Sequence, residues 1–277
     1  MFRYSKRTLL REGTLILLAG IWWIPFYLLG VNSLAPSSSL GGGGLRIPAH
    51  LNWGSYSLAW QGNGDGTLGR ALINSVIITV GSVICLLVLG SVAAYVIARR
   101  RGRSSALLYL LFVAGIILPY QLGVVPLYAA FRHLGLVGDD FGMIVLYTGV
   151  LMPLSVFLYT GFVRSLPRDY EEAASVDGAS RVRIFRRVVF PLLRPINATV
   201  AILTGLIVWN DFFTQLVFLS GTTHETVPVA VYSAVGAYAT QWNVVFATVV
   251  IAVIPVFLVY LVAQRHLIRG FTGGVKA

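Results

Sequence analysis

The sequence predicts an all-α membrane protein of six transmembrane helices with both termini in the cytoplasm, and three observations predict it. Of 277 residues, 57% are hydrophobic and only 11% are charged, against about 25% charged in soluble domains. A soluble fold of this length has nowhere to hide so much apolar surface. The apolar residues also gather into six runs near the length a helix needs to cross a bilayer, about 20 residues. Finally, of the 21 lysines and arginines, all but Arg46, Arg70 and Arg132 fall at the N-terminus, in the second and fourth linkers, or in the tail. Lys and Arg collect on the cytoplasmic side of short membrane loops, so these four regions share that side.

The runs are Thr14 to Val31, Ala71 to Ala98, Ser105 to Leu127, Phe141 to Val163, Ile196 to Leu219 and Val244 to Ala263. A bilayer core offers no partner to a free backbone N–H or C=O, so each run is read as a helix; barrel strands would be shorter and alternating. Pro25, Pro119, Pro153 and Pro255 lie in or near these runs, where a missing N–H loosens or kinks a helix. The basic start of the first run is shared with signal peptides. Its length, its Trp22, Trp23 and Pro25, and the lack of a small-residue cleavage site after it favour an uncleaved anchor.

The chain then divides into a cytoplasmic N-terminus (1–13), the first transmembrane helix (14–34), an extracytoplasmic Gly/Ser-rich loop (35–70) and a core of five transmembrane helices (71–266). The core holds a cytoplasmic loop at 164–195, and a cytoplasmic tail (267–277) follows. The outer loop includes the run Gly41 to Gly44 and should be mobile, with Trp53, Tyr56 and Trp60 at the lipid interface. The segment holding Val227, Pro228, Val229, Tyr232 and Tyr238 is expected along the membrane surface.

Several function classes are excluded. The net charge of +11 is spread between apolar runs and not over a folded basic face, so no nucleic acid is expected. Cys85 stands alone and is read as a small buried hydrophobe. His50, His133, His224 and His266 are too scattered for a metal site. No nucleophile and base come together, so no catalytic residue is assigned and the chain is read as no enzyme. A phosphate-binding loop needs a Gly-rich turn followed by Lys, and the only lysines are Lys6 and Lys276.

The loop at 164–195 is the most informative stretch. Pro167 suits the start of a helix, and Asp169, Glu171 and Glu172 suit its positive end. Gly178, next to Asp177, suits a left-handed helix terminus, and Ser180 can cap a second helix. There Ile184, Phe185, Val188 and Val189 share one face while Arg183, Arg186 and Arg187 point elsewhere, and Pro191 ends the helix. This is a helix-turn-helix at the cytoplasmic surface, whose small Ala173 and Ala174 let another protein approach. A structured connector with its arginines on lipid headgroups fits the same spacing.

Glu172-Ala173-Ala174, Gly178 four residues on, and then Val188-x-Phe190-Pro191 resemble the "EAA" loop of permeases in binding-protein-dependent ABC importers, whose pattern ends Ile-x-Leu-Pro. Asn74-Ser75, Ala93-Ala94-Tyr95, Ala98-Arg99, Pro126-Leu127-Tyr128, Leu134-Gly135-Leu136, Trp209-Asn210-Asp211-Phe212 and the tail from Gln264 to Lys276 are similar to the shorter, six-span maltose-type subunit. The resemblance implies the ABC importer type I permease fold, a bacterial inner-membrane location and carriage of a sugar or related polyol by alternating access. It implies as partners a second permease, two ATP-binding-cassette ATPase subunits that bind ATP and Mg, and an extracytoplasmic sugar-binding protein, with no cofactor on this chain. Carried over, Glu171, Glu172, Ala173, Ala174, Asp177, Gly178 and Pro191 are the residues of ATPase coupling.

Asp211 is the one acid inside a predicted span, roughly 22 Å along the fifth helix at 1.5 Å per residue. An ionisable group there is a functional candidate by default. With Asn210 and Asn74 it is a candidate for the translocation path or the interface with the second permease, and a structural hydrogen bond is the stronger reading. An ion-coupled secondary transporter would also use such a residue, and an ABC permease for a non-sugar solute is the nearest alternative.

Overall fold

A computed structural model of the chain describes residues 6–38, 47–48, 50–62, 67–100 and 102–272. The Gly41–Gly44 run, the first five residues of the N-terminus and the last five residues of the tail lie outside the described residues. Every regular element among those described is helical. They divide into two compact units, one drawn from Met1–Gly69 and Ala230–Phe257, the other from Arg70–Val229 and Leu258–Ala277.

The first unit begins with α1, Lys6–Ser33, eight residues longer at its start than the apolar run. None of its apolar window is buried. Trp22 and Trp23 are 73% and 69% exposed, which water would penalise and lipid would not. Next comes α2, Gly54–Gln61. The Tyr56 and Ser33 hydroxyls are 2.7 Å apart, so Tyr56 is held inside its unit, whereas Trp53 and Trp60 are exposed.

The second unit carries α3, Leu68–Arg99, interrupted by a π-helical turn at Leu86–Gly90. A π turn frees a carbonyl from the ladder, and the Ser155 hydroxyl donates to the Leu86 carbonyl at 3.2 Å. Gly90 explains how close the two helices come: a Cβ there would lie 2.1 Å from Ser155 Oγ. After α4, Arg103–Ile117, the backbone turns extended at Leu118. A 3₁₀ turn, Tyr120–Gly123, leads into α5, Val124–His133. The third predicted span is therefore not one straight helix but a pair bent by 86°. Pro119 supplies the reason, because it biases the residue before it away from helical geometry.

Helix α6, Asp140–Ser165, starts at a cap in which Asp139 Oδ1 accepts from the Gly142 N–H at 2.6 Å. It is central to this unit: Met143, Leu146, Tyr147 and Leu151 join one buried cluster with Ile78, Val124, Val208 and Phe218. Val156, Tyr159 and Val163 join a second cluster with Ala94, Ile97, Ile184 and Val200.

The loop helices are α7, Asp169–Val176, and α8, Arg181–Leu192, which meets α9, Arg194–Asn210, at 74°. The chain leaves helical geometry at Asp211, and α10, Phe213–Leu219, follows. The predicted fifth span is thus broken, and Asp211 lies in the break and not within a helix. Beyond it come α11, Val227–Ala237, where a surface segment was expected, and α12, Trp242–Thr272.

Among the described residues three helices are long and apolar enough to cross a membrane, or up to five if each bent pair is one span. The apolar stretch Trp242–Leu258 of α12 is shorter than that length. Cys85 is a free, half-buried thiol, and no cluster of metal-ligating side chains occurs among the described residues.

Candidate functional site

The loop between α6 and α9 is built on local rules. Leu166 is extended and Arg168 occupies the N-cap of α7, so the helix starts two residues after Pro167. Asp169, Glu171 and Glu172 fill its first turn, where the helix dipole favours negative charge. At the far end Gly178 has φ +78°. Its N–H donates to the Ser175 carbonyl and the Ala179 N–H to the Ala174 carbonyl, both at 3.0 Å. That pair of bonds is a Schellman cap, and the left-handed residue in it is the place a side chain would strain.

Ser180 sits at the N-cap of α8 as expected, in extended geometry, but its side chain makes no capping bond. In α8 a π turn spans Phe185–Val189. Pro191 lies just past this widened turn and the helix runs one residue beyond it, to Leu192. Ile184 and Val189 are buried, with Phe185 and Val188 packed on them, while Arg183, Arg186 and Arg187 are exposed. The apolar and basic faces predicted for this helix are both present.

Glu171 ties the loop to α3. Its Oε1 accepts from Arg99 Nε at 2.7 Å and its Oε2 from the Tyr95 hydroxyl at 2.8 Å. Arg99 Nη2 also donates to the Leu166 carbonyl at 3.1 Å. With Arg99 and Glu171 only 13% and 16% exposed, this is a charge-assisted pair partly withdrawn from water. The Tyr95 and Phe185 rings pack at a 45° tilt with centroids 5.2 Å apart.

The opposite face of α7 is bare. Glu172, Ala173 and Asp177 are exposed, while Ala174 packs half-buried against the bundle. Tyr170 and Val176 are 55% and 88% exposed, two apolar side chains set among exposed acids. Six of the predicted loop residues, Glu171 to Gly178, thus form one compact hook, divided between an anchored side and a presented side. Pro191 lies on the next helix.

A second polar constellation surrounds the α9 break. Asp211 Oδ2 accepts from the Tyr147 hydroxyl at 2.9 Å and the Tyr120 hydroxyl at 3.0 Å, and Oδ1 accepts from the Thr214 N–H at 3.3 Å. Gln215 Nε2 donates at 2.7 Å to the Val208 carbonyl, which the break leaves without its helical partner. The Gln215 carbonyl in turn accepts from the Thr226 hydroxyl. One carboxylate therefore joins the α4–α5 bend, the buried first third of α6 and the α9 break.

Asn210 and Asn74 do not join this group. Asn210 is exposed and bonds the Leu206 carbonyl of its own helix at 2.8 Å. Asn74 is buried and donates to the Thr223 and Glu225 carbonyls at 3.1 and 3.0 Å, and the neighbouring Ser75 hydroxyl accepts from the Val227 N–H. Asn74 clasps the 220–226 turn onto α3. Sequence reasoning missed Tyr120, Tyr147 and Gln215. The signal available was the acid itself, since a buried carboxylate must find donors.

Residues 86–273 match the family described as binding-protein-dependent transport system inner membrane component. The chain is 35% identical over 253 residues to the melibiose/raffinose/stachyose import permease of Bacillus subtilis, covering 91% of this chain and 90% of that one. It is 36% identical to a multiple sugar-binding transport system permease of Streptococcus mutans, covering 76% of each. A chain in the crystal structure of a bacterial ABC transporter involved in import of the acidic polysaccharide alginate shares the fold, with TM-score 0.76 and 24% identity over 96% of this chain and 99% of that one.

Proposed function

This chain belongs to the family of inner-membrane components of binding-protein-dependent transport systems, and on that premise we propose a reading of how its loop and its broken helices work. It is a multi-pass permease component of an ABC importer that carries a sugar into the cytoplasm. What supports the sugar is the identity to permeases named for melibiose, raffinose and stachyose import and for a multiple sugar-binding system.

In the finer reading the chain crosses the membrane six times with both termini in the cytoplasm and pairs with a second permease. Two partner ATPases bind ATP and Mg, and an extracytoplasmic binding protein delivers the sugar. The presented side of α7, with Tyr170, Glu172, Ala173, Val176 and Asp177, docks in an ATPase. The anchored side, through Glu171 and Ala174, passes the motion to α3 and α6. A nucleotide that favours the closed ATPase then biases a two-state pore. Asp211 serves as a latch holding three helical elements in one arrangement; its donors leave little capacity for cargo.

The observation that carries this reading is the hook: rigidly capped, pinned inward by an ion pair, and presenting Tyr170, Ala173 and Val176 among acids outward. Its test is an Ala173→Cys variant in the assembled transporter. The new thiol should cross-link to a co-purifying ATPase, and uptake of labelled sugar should require ATP. A thiol labelled only from outside the cell, or transport by this chain alone without ATP, would overturn the reading and favour an ion-coupled carrier.

A further inference from the structure

An open groove of about 1180 Å³ lies between the C-terminal half of α3 and the loop helices α7 and α8. Its two ends differ in chemistry. At one end Val88, Val92 and Val96, one α3 face at four-residue spacing, are 49%, 42% and 42% exposed. At the other end the groove is lined by Arg100, Arg168, Arg181 and Arg186, all exposed, and none has an ion-pair partner among the described residues. Of the two acids there, Glu171 is already engaged by Arg99 and Tyr95. Glu172 is exposed and has no ion-pair partner among the described residues.

We infer that this groove binds an anionic phospholipid of the inner leaflet, its phosphate among Arg100, Arg181 and Arg186 and one acyl chain along the valine stripe. The dimensions agree. From Val88 to Arg100 is roughly 18 Å along α3 at 1.5 Å per residue, against about 15 Å for half a hydrocarbon core. Basic pockets at the cytoplasmic end of membrane helices suit anionic headgroups, and guanidinium forks match phosphate oxygens. A free phosphate would satisfy the arginines but leave the valines bare, so the two ends together select an amphiphile. The inference does not depend on which solute crosses. It makes the lipid a neighbour of the Arg99–Glu171 tie.

The test uses the whole assembled transporter in nanodiscs of phosphatidylcholine with and without phosphatidylglycerol, with retained lipid read by native mass spectrometry. The wild type should retain phosphatidylglycerol over phosphatidylcholine. Combined Arg100→Gln, Arg181→Gln and Arg186→Gln should lower that preference by roughly five-fold per charge removed, and the same three positions changed to Lys should restore most of it. Val92→Trp, which keeps every charge, should also expel the lipid. Equal retention by the triple Gln variant would overturn the inference. So would displacement by soluble glycerophosphate, or a Val92→Cys thiol that cross-links to a second permease in place of accepting a lipid-soluble probe.

Discussion

Arg99 Nε stands 2.7 Å from Glu171 Oε1, so the last turn of α3 grips the first turn of α7. Hydrogen bonds to charged groups are each worth about 1.5–3 kcal/mol. Glu171→Ala should therefore leave the chain in the membrane while sugar uptake falls about ten-fold or more. Arg99→Glu combined with Glu171→Arg should recover part of the loss. Uptake assays normalised to membrane protein level check this, and wild-type uptake by Glu171→Ala would remove the tie from the mechanism.

Gly178 should tolerate substitution by conformation and not by size. A Cβ built there meets nothing within 4 Å, so the cost lies in φ +78°. Left-handed geometry costs an ordinary L-residue roughly 1–2 kcal/mol, and Asn less. Uptake should rank Gly178→Asn above Gly178→Ala above Gly178→Val, with the last abolishing transport. A Val variant as active as the Asn variant would contradict the capped-hook geometry.

Loss of Asp211 should be felt as stability. Tyr147 is fully buried, and an unsatisfied buried hydroxyl costs about 1–3 kcal/mol. Asp211→Leu should lower the unfolding midpoint of the detergent-solubilised transporter more than Tyr147→Phe, because the latter leaves the carboxylate with Tyr120 and Thr214. Equal shifts would show that Asp211 does not join these elements.

Gly90→Ala should destabilise the α3–α6 contact, since its Cβ would fall 2.1 Å from Ser155 Oγ and 3.1 Å from Ser155 Cβ. Overpacking of this kind costs about 1–3 kcal/mol. Adding Ser155→Gly should restore much of the loss, as read by expression level and thermal midpoint. No rescue would place the clash elsewhere.

The parts of this molecule that follow from nearest neighbours along the chain were legible in the sequence. The apolar runs mark the helices, and the hook followed from Gly178, its acidic first turn and the apolar face of α8. What was not legible depends on distant partners. Nothing near Asp211 announces Tyr120 and Tyr147, 91 and 64 positions away. Arg99 read as a topology signal because its partner Glu171 lies 72 positions on. Pro119 marks a kink but not its 86° size, and the break at Asp211 hides inside a predicted span, since hydropathy records what a segment is dissolved in and not whether its backbone runs straight.

The widened turn at Phe185–Val189 has a consequence for heredity. A regular helix advances 100° per residue, and a π turn holds one residue more than its neighbours expect. Deleting one residue there would return the turn to regular geometry with the flanking faces still in register, whereas a residue lost from the regular turns on either side would swing the hook about its own axis by roughly that angle. The widened turn is thus the place between Gly178 and Pro191 where a lost codon should be absorbed, while in the regular turns around it the number of residues is constrained as tightly as their identities.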